Sequence, residues 1–165
     1  MKQTKMHASG VLALIFVASL TMIPSADAET LTGRARTTSG DTLTLERDTV
    51  RLLGIDAPEL DQYCENDYGQ PFECGRQALD ALRELIGRAT VTCLGTTRDE
   101  EGRLLAICYA GDLNLNSRMA RNGWAVARSN ESQDYVHMAR LAKREKAGIW
   151  ALKFTDPAEW RAQNK

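Results

Sequence analysis

The sequence predicts an α+β fold, a small five-stranded β-barrel carrying three α-helices, and three observations lead there. Short alternating runs follow one another closely between Thr30 and Ile55. Two further strand-like runs lie at 89–94 and 103–109. Three stretches with apolar residues at helical spacing lie between and after them. At 165 residues, 43% hydrophobic and 26% charged, the chain has the make-up of one ordinary globular domain. That length leaves no room for eight βα units or for two dinucleotide-binding halves.

Taken in order, Leu31–Arg36 is the first strand, and Ser39-Gly40-Asp41 is a turn signal. Thr42–Glu46 alternates with period two, Arg47-Asp48 turns the chain again, and Thr49–Ile55 is the third strand. Strands this close in sequence pair as an antiparallel meander. Pro58 ends the pairing because it has no N–H to give. Residues 60–75 are polar and turn-rich. Arg76–Ile86 carries Ala78, Leu79, Leu82, Leu85 and Ile86 at helical spacing and stops at Gly87. Ala89–Leu94 and Arg103–Tyr109 form a hairpin across the charged segment Arg98-Asp99-Glu100-Glu101-Gly102. Leu113–Asn122 reads as a short helix and Ser132–Ala147 as a longer one. Five strands with a helix between the third and fourth fit a barrel of the oligonucleotide- and oligosaccharide-binding (OB) type.

The N-terminus has a different character. Lys2 and Lys5 precede the apolar run Val11–Ala18, and Ala26-Asp27-Ala28 is a small-x-small cleavage pattern. Residues 1–28 therefore read as a secretory signal peptide, too short in its apolar part to span a bilayer comfortably. The domain is expected over 29–152, with a C-terminal tail at 153–165 and no stable membrane association after cleavage. Without residues 1–28 the formal charge is −2, which argues against a protein that coats nucleic acid non-specifically but leaves room for a local cationic cleft.

All four cysteines follow that segment, and an even count in an exported chain points to disulfides. Of the three possible pairings, Cys64–Cys74 and Cys93–Cys108 each close a local loop. The second would stabilise by about 3 kcal/mol in the loop-entropy model. No Cys-x-x-Cys pair is present, and His137 is the one histidine outside the signal segment. A zinc ribbon, a thioredoxin-like site and a two-histidine ribonuclease mechanism are thereby excluded. The chemistry has to rest on carboxylates and arginines.

Those residues are densest in Arg51-Leu52-Leu53-Gly54-Ile55-Asp56-Ala57-Pro58-Glu59. An arginine inside an apolar strand needs a partner or a wet cavity, and two carboxylates flank a proline that stiffens the turn between them. Other aromatic and titratable residues read as structural. Trp124 and Trp150 belong to the core, Tyr63, Tyr68 and Phe72 to the clipped loop, and His137 to a solvated helix face.

Together with Gly40-Asp41-Thr42, Asp99-x-x-Gly102-Arg103-Leu104-Leu105-Ala106, Asp112-Leu113-Asn114, Gly123-Trp124-Ala125 and Ala147-Gly148-Ile149-Trp150, this segment resembles the staphylococcal nuclease (thermonuclease) family. The pieces occur in family order from about residue 31 to residue 152. The resemblance implies a five-stranded barrel with three helices and Ca²⁺-dependent cleavage of DNA or RNA, leaving a 3′-phosphate. It implies Asp41 and Asp56 as carboxylate metal ligands with the Ala57 backbone carbonyl, and hard oxygens suit Ca²⁺. It further implies Glu59 as the group that orients or deprotonates the attacking water, and Arg51 and Arg103 as the phosphate-gripping pair. Two departures bear on substrate. Glu100 and Glu101 stand where the family often has a basic residue and a tyrosine, and Arg128-Ser129 replaces a second tyrosine, so that Arg128 would supply a cation to the substrate. A secreted or periplasmic monomer acting on nucleic acid, single-stranded above all, is the resulting expectation. A weakly catalytic OB-type module binding nucleic acid or oligosaccharide, and a disulfide-stapled envelope interaction protein, stay open beside it.

Overall fold

The structure is a computed structural model that describes residues 28–164. The segment read as a signal peptide lies, apart from Ala28, outside the described residues. The first strand is bent at Arg34 into β1 (Glu29–Gly33) and β2 (Ala35–Thr37), followed by β3 (Thr42–Leu45) and β4 (Asp48–Leu52). After the Leu53-Gly54 turn come β5 (Ile55–Asp56), β6 (Cys64–Glu65), β7 (Pro71–Phe72) and helix α1 (Cys74–Ile86). The hairpin β8 (Val91–Arg98) and β9 (Leu104–Ala110) leads to β10 (Leu113–Asn114), α2 (Leu115–Arg121) and β11 (Val126–Ala127). Helix α3 (Val136–Glu145), a 3₁₀ turn (Gly148–Ala151) and α4 (Pro157–Gln163) complete the chain.

The strand order of the main sheet is β1-β8-β9-β4-β3-β2. Since β1 and β2 are two halves of one strand, its first half pairs with β8 and its second with β3, and the sheet closes on itself. Counted this way the barrel has the five strands expected, and it is an OB-type fold. Among the described residues this closure leaves no long edge to template aggregation. One contact is parallel: Val50, Arg51 and Leu52 of β4 lie beside Leu104, Leu105 and Ala106 of β9. This pairing brings the Arg51 strand alongside the start of the strand that follows Arg103.

The interior is filled by Leu43, Leu45, Val50, Leu52, Val91, Leu104 and Ala106 from the strands. Ala78, Leu82 and Ile86 from one face of α1, and Leu115 and Met119 from α2, pack onto them. The three expected helices are present. The long one starts at Val136 rather than Ser132, because the chain makes tight turns before Tyr135, whose side chain is itself buried. A fourth helix, α4, lies in the segment read as a tail. Asp156 caps it by accepting from the Ala158 N–H at 2.9 Å, and Pro157 sits at its first position.

Both disulfides form as expected. Cys93 and Cys108 face each other directly in the β8–β9 ladder, and Cys64–Cys74 ties β6 to the start of α1. Trp124 and Trp150 pack as core residues, Trp150 edge-on to Phe154 at 5.2 Å. Replacing Cys93 and Cys108 together by alanine should lower stability by about 3 kcal/mol, measured by urea unfolding under non-reducing conditions. A loss below about 1 kcal/mol would mean that this cross-link does not constrain the unfolded chain as its loop length implies.

Candidate functional site

Arg51 lies on β4 with only 9% of its surface exposed, where an unpaired charge would be costly. Its partner is Glu131, from the segment after β11, which accepts from Arg51 Nη2 at 2.8 Å. The other Glu131 oxygen accepts from the Gly54 N–H at 3.1 Å. Gly54 adopts φ 77°, a left-handed conformation in which a larger side chain would be strained, and Tyr135 closes over it. Buried Asn116 of α2 fixes the same turn from below. Its Nδ2 donates to the Leu53 and Ala106 carbonyls at 2.9 and 3.1 Å, and its Oδ1 accepts from the Cys108 N–H at 3.0 Å. One glutamate and one asparagine thus set where β4 ends and the Asp56 loop begins.

Asp41 sits in the turn before β3. Its Oδ1 accepts from the Ser39 and Thr42 hydroxyls at 2.8 and 2.9 Å, and its Oδ2 from the Ala57 N–H at 3.2 Å. That last bond holds the Asp56-Ala57 backbone against Asp41. Asp56 itself is only 2% exposed and lies among guanidiniums. Arg128 Nη1 donates to its Oδ2 at 2.7 Å, and Arg161 of α4 donates to Oδ1 at 2.9 Å and to Oδ2 at 2.7 Å. Arg161 Nη1 also donates to Glu59 Oε1. The hydrogen bonds to Asp56, followed by burial acting in opposition and the bond to Glu59, leave the Arg161 guanidinium held well above its ordinary pKa.

The loop carrying Glu59 is itself clamped. The Glu59 N–H donates to Oε1 of buried Gln62 at 3.2 Å, and Gln62 Nε2 donates to the Thr155 carbonyl at 2.8 Å. Behind it, a side chain at Gly75 in the first turn of α1 would come 1.7 Å from the Glu59 carbonyl oxygen, so only glycine allows this close approach.

Arg103 follows the β8–β9 turn, which is built on Asp99. Asp99 Oδ1 accepts from the Glu101 and Arg103 N–H groups at 3.1 and 2.9 Å, and Oδ2 from Arg103 Nε at 2.8 Å. Burial works to raise the Asp99 pKa. The hydrogen bonds from the Arg103 backbone and guanidinium outweigh it and hold the carboxyl below the usual range. Glu101 lies 3.5 Å from Arg103 Nε on the open side.

These groups border one pocket of about 360 Å³. Asp41, Arg51, Asp56, Glu59, Arg103 and Arg128 all line it, as do Glu100 and Glu101. The described residues place six carboxylates and four guanidiniums around it, so its formal balance is −2. Arg128 pairs with Asp56 and lies 2.8 Å from Glu131 through Nε. Glu131, Gln62 and Arg161 were not among the residues singled out from the sequence. For Arg161 a signal existed, since Asp156-Pro157 is a helix start and Arg161 falls one turn later. Glu131 carried none, being one acid in a polar turn.

A family model described as staphylococcal nuclease homologue matches residues 49–152. The chain is 32% identical over 126 residues to the succinoglycan biosynthesis protein ExoI of Rhizobium meliloti (strain 1021), covering 74% of this chain and 66% of that one. It is 31% identical over 134 residues to an uncharacterized endonuclease of Haemophilus influenzae, covering 76% and 70%. It is 28% identical over 130 residues to the probable staphylococcal-like nuclease CAN3 of Oryza sativa subsp. japonica, covering 77% of this chain and 32% of the relative. The fold defines a small OB-type barrel with one charged cleft. The chain belongs to the staphylococcal nuclease homologue family.

Whether the pocket suits a divalent cation can be judged from its donors. Among the described residues no three carboxylate, imidazole or thiolate groups converge into a metal cage of their own. The donors present are two buried carboxylates, Asp41, which accepts from the Ala57 N–H, and Asp56, the residue before Ala57. This is a set of hard oxygens, suited to a calcium-like ion that keeps several waters, and the net negative balance of the pocket favours a dication. The residues fit such an ion, provided Asp56 shares or releases its guanidinium partners.

Asp99 makes a pH prediction. A carboxyl held below its ordinary value of 3.8 contributes stability above that pH and loses the contribution as pH falls through its folded-state value. The stability gap between wild type and Asp99→Asn should therefore be constant near neutrality and shrink in acid below the ordinary carboxylate value, as read by urea unfolding at a series of pH values. A gap independent of pH down to the most acid point would show that the Asp99 charge is not what the turn depends on.

Proposed function

We propose that the protein is a calcium-dependent nuclease that hydrolyses phosphodiester bonds of DNA, RNA or both, and that it works as an exported, secreted or periplasmic monomer. The observation that carries this reading is the shared pocket of Asp41, Arg51, Asp56, Glu59 and Arg103. Membership of the family and the nuclease names of two relatives support it. Two disulfides support an oxidising location. Among the described residues no helix is long and apolar enough to cross a membrane.

Each residue then has a task. Asp41, Asp56 and the Ala57 carbonyl would hold Ca²⁺, with water completing the shell. When bound, the ion supplies Lewis-acid stabilisation of the charge that builds on the phosphoryl oxygens. Arg51 and Arg103 donate paired N–H groups to the non-bridging oxygens and stay charged throughout, so their attraction grows as the transition state forms. Glu131 and Asp99 pre-position those two forks in the absence of substrate. Glu59 accepts a hydrogen bond from the attacking water and orients it or takes its proton. As a weak base it acts mainly through placement, and Gln62 and Gly75 supply that placement by fixing the loop.

A second reading, an OB-type binding module with little turnover, draws on one observation. The arginines of the pocket are all engaged by acids of the same chain, and Glu100 and Glu101 face the polyanion. Turnover separates the two readings. Glu59→Gln should lower kcat by about a hundredfold or more while substrate affinity changes little, and a chelator should abolish cleavage of single-stranded DNA or RNA by wild type. Equal turnover in wild type and Glu59→Gln would remove the nuclease assignment of this pocket.

Glu100→Lys combined with Glu101→Tyr should tighten binding of a short single-stranded oligonucleotide, more at low salt than at high salt. Unchanged affinity at low salt would mean that the two glutamates do not limit substrate access.

A further inference from the structure

Arg161 stands apart from the other pocket arginines because of where it comes from and what it holds. It is carried by α4, and among the described residues of that helix only Pro157 is buried. Its guanidinium nonetheless spans both oxygens of Asp56 and one oxygen of Glu59. The carboxylate read as a metal ligand and the carboxylate read as the water-handling group are thus bridged by a single side chain that lies 36% exposed at the pocket rim.

The helix is rooted on the same loop it occludes. Gln62 links the Glu59 N–H to the Thr155 carbonyl, and Glu65 and Lys153 exchange backbone hydrogen bonds at 2.8 and 2.9 Å. These bonds end at Thr155. Beyond them α4 has little apolar burial, and the Arg161 ion pairs tie its far end to the barrel. A segment fixed at its base, with one residue fully buried and Trp160 half-buried along it, can be displaced without unfolding the domain.

Electrostatics then sets up a competition. Asp56 has 3% of its side chain exposed, and two arginines already saturate it. A dication on the same oxygens would sit within a few ångströms of the Arg161 charge, where like charges in a partly buried setting repel. We propose that Arg161 is the internal counter-ion of the Asp56–Glu59 pair, that a divalent cation loads only by displacing it, and that Arg161 thereby sets the cation concentration at which the site fills. This rests on the reading of Asp56 as a cation ligand.

The test measures cation binding on the whole folded protein, independent of turnover. Ca²⁺ affinity is taken by titration calorimetry, and Tb³⁺ luminescence serves as a second probe, for wild type, Arg161→Gln, Arg161→Lys and Asp56→Asn. Arg161→Gln should bind Ca²⁺ about tenfold or more tightly than wild type, the size of one partly buried ion pair. Arg161→Lys should fall between, since an ammonium cannot fork across both carboxylates. Saturating Ca²⁺ should also speed amide hydrogen exchange over residues 157–163 in wild type. Near-UV circular dichroism checks that each variant is folded, and Arg161→Lys carries the comparison if Arg161→Gln is not. Wild type that binds Ca²⁺ with Arg161→Gln no tighter, or with α4 exchange unmoved, overturns the competition while leaving the metal reading intact. A protein in which neither wild type nor Arg161→Gln binds either ion overturns both.

Discussion

The carboxylate of Asp56 is the charge around which this pocket is balanced. A carboxylate with almost no exposed surface needs partners, because the hydration it loses is worth on the order of several kcal/mol. The fold brings it two guanidiniums, one from the segment after β11 and one from the C-terminal helix. Arg128 in turn touches Glu131, and Glu131 holds Arg51 and the Gly54 turn. A chain of alternating charges therefore runs from the C-terminal helix to the barrel strand.

This balance explains why the barrel matters to the chemistry. Only the parallel β4–β9 pairing brings Arg51 close to the hairpin that carries Arg103, and only the closed sheet sets the Asp41 turn against the Asp56-Ala57 backbone. The disulfide between Cys64 and Cys74 plays the same part on the outside. It ties the loop after Glu59 to α1, and β6 in that loop carries the C-terminal segment. Arg51 is held by a barrel strand, whereas Arg161 comes from a short helix in which, among the described residues, only Pro157 is buried.

How much of this the sequence disclosed depends on how local each feature is. Arg51, Asp56 and Glu59 fall within nine residues, so their convergence follows from one strand end and one proline turn. Cys93 and Cys108 pair because a hairpin between two alternating runs leaves them opposite. Glu131 and Arg161 are different, since each contacts its partner across 80 or more residues. No periodicity marks them, and a lone acid or base in a polar segment reads as surface. The closing of the barrel through a bend at Arg34 was likewise hidden, because a single strand that serves both ends of a sheet has the same alternation as one that serves either. The short α4 falls in the segment read as a tail, because it lacks the length at which spacing alone is persuasive.

A crystal structure of the protein grown with Ca²⁺ and a short single-stranded DNA that resists cleavage tests the central claim most directly. One ion should lie between Asp41, Asp56 and the Ala57 carbonyl, with a phosphate on Arg51 and Arg103 and the Arg161 guanidinium withdrawn from Asp56. An intact Arg161–Asp56 pair with the nucleic acid bound to some other face of the barrel would contradict it.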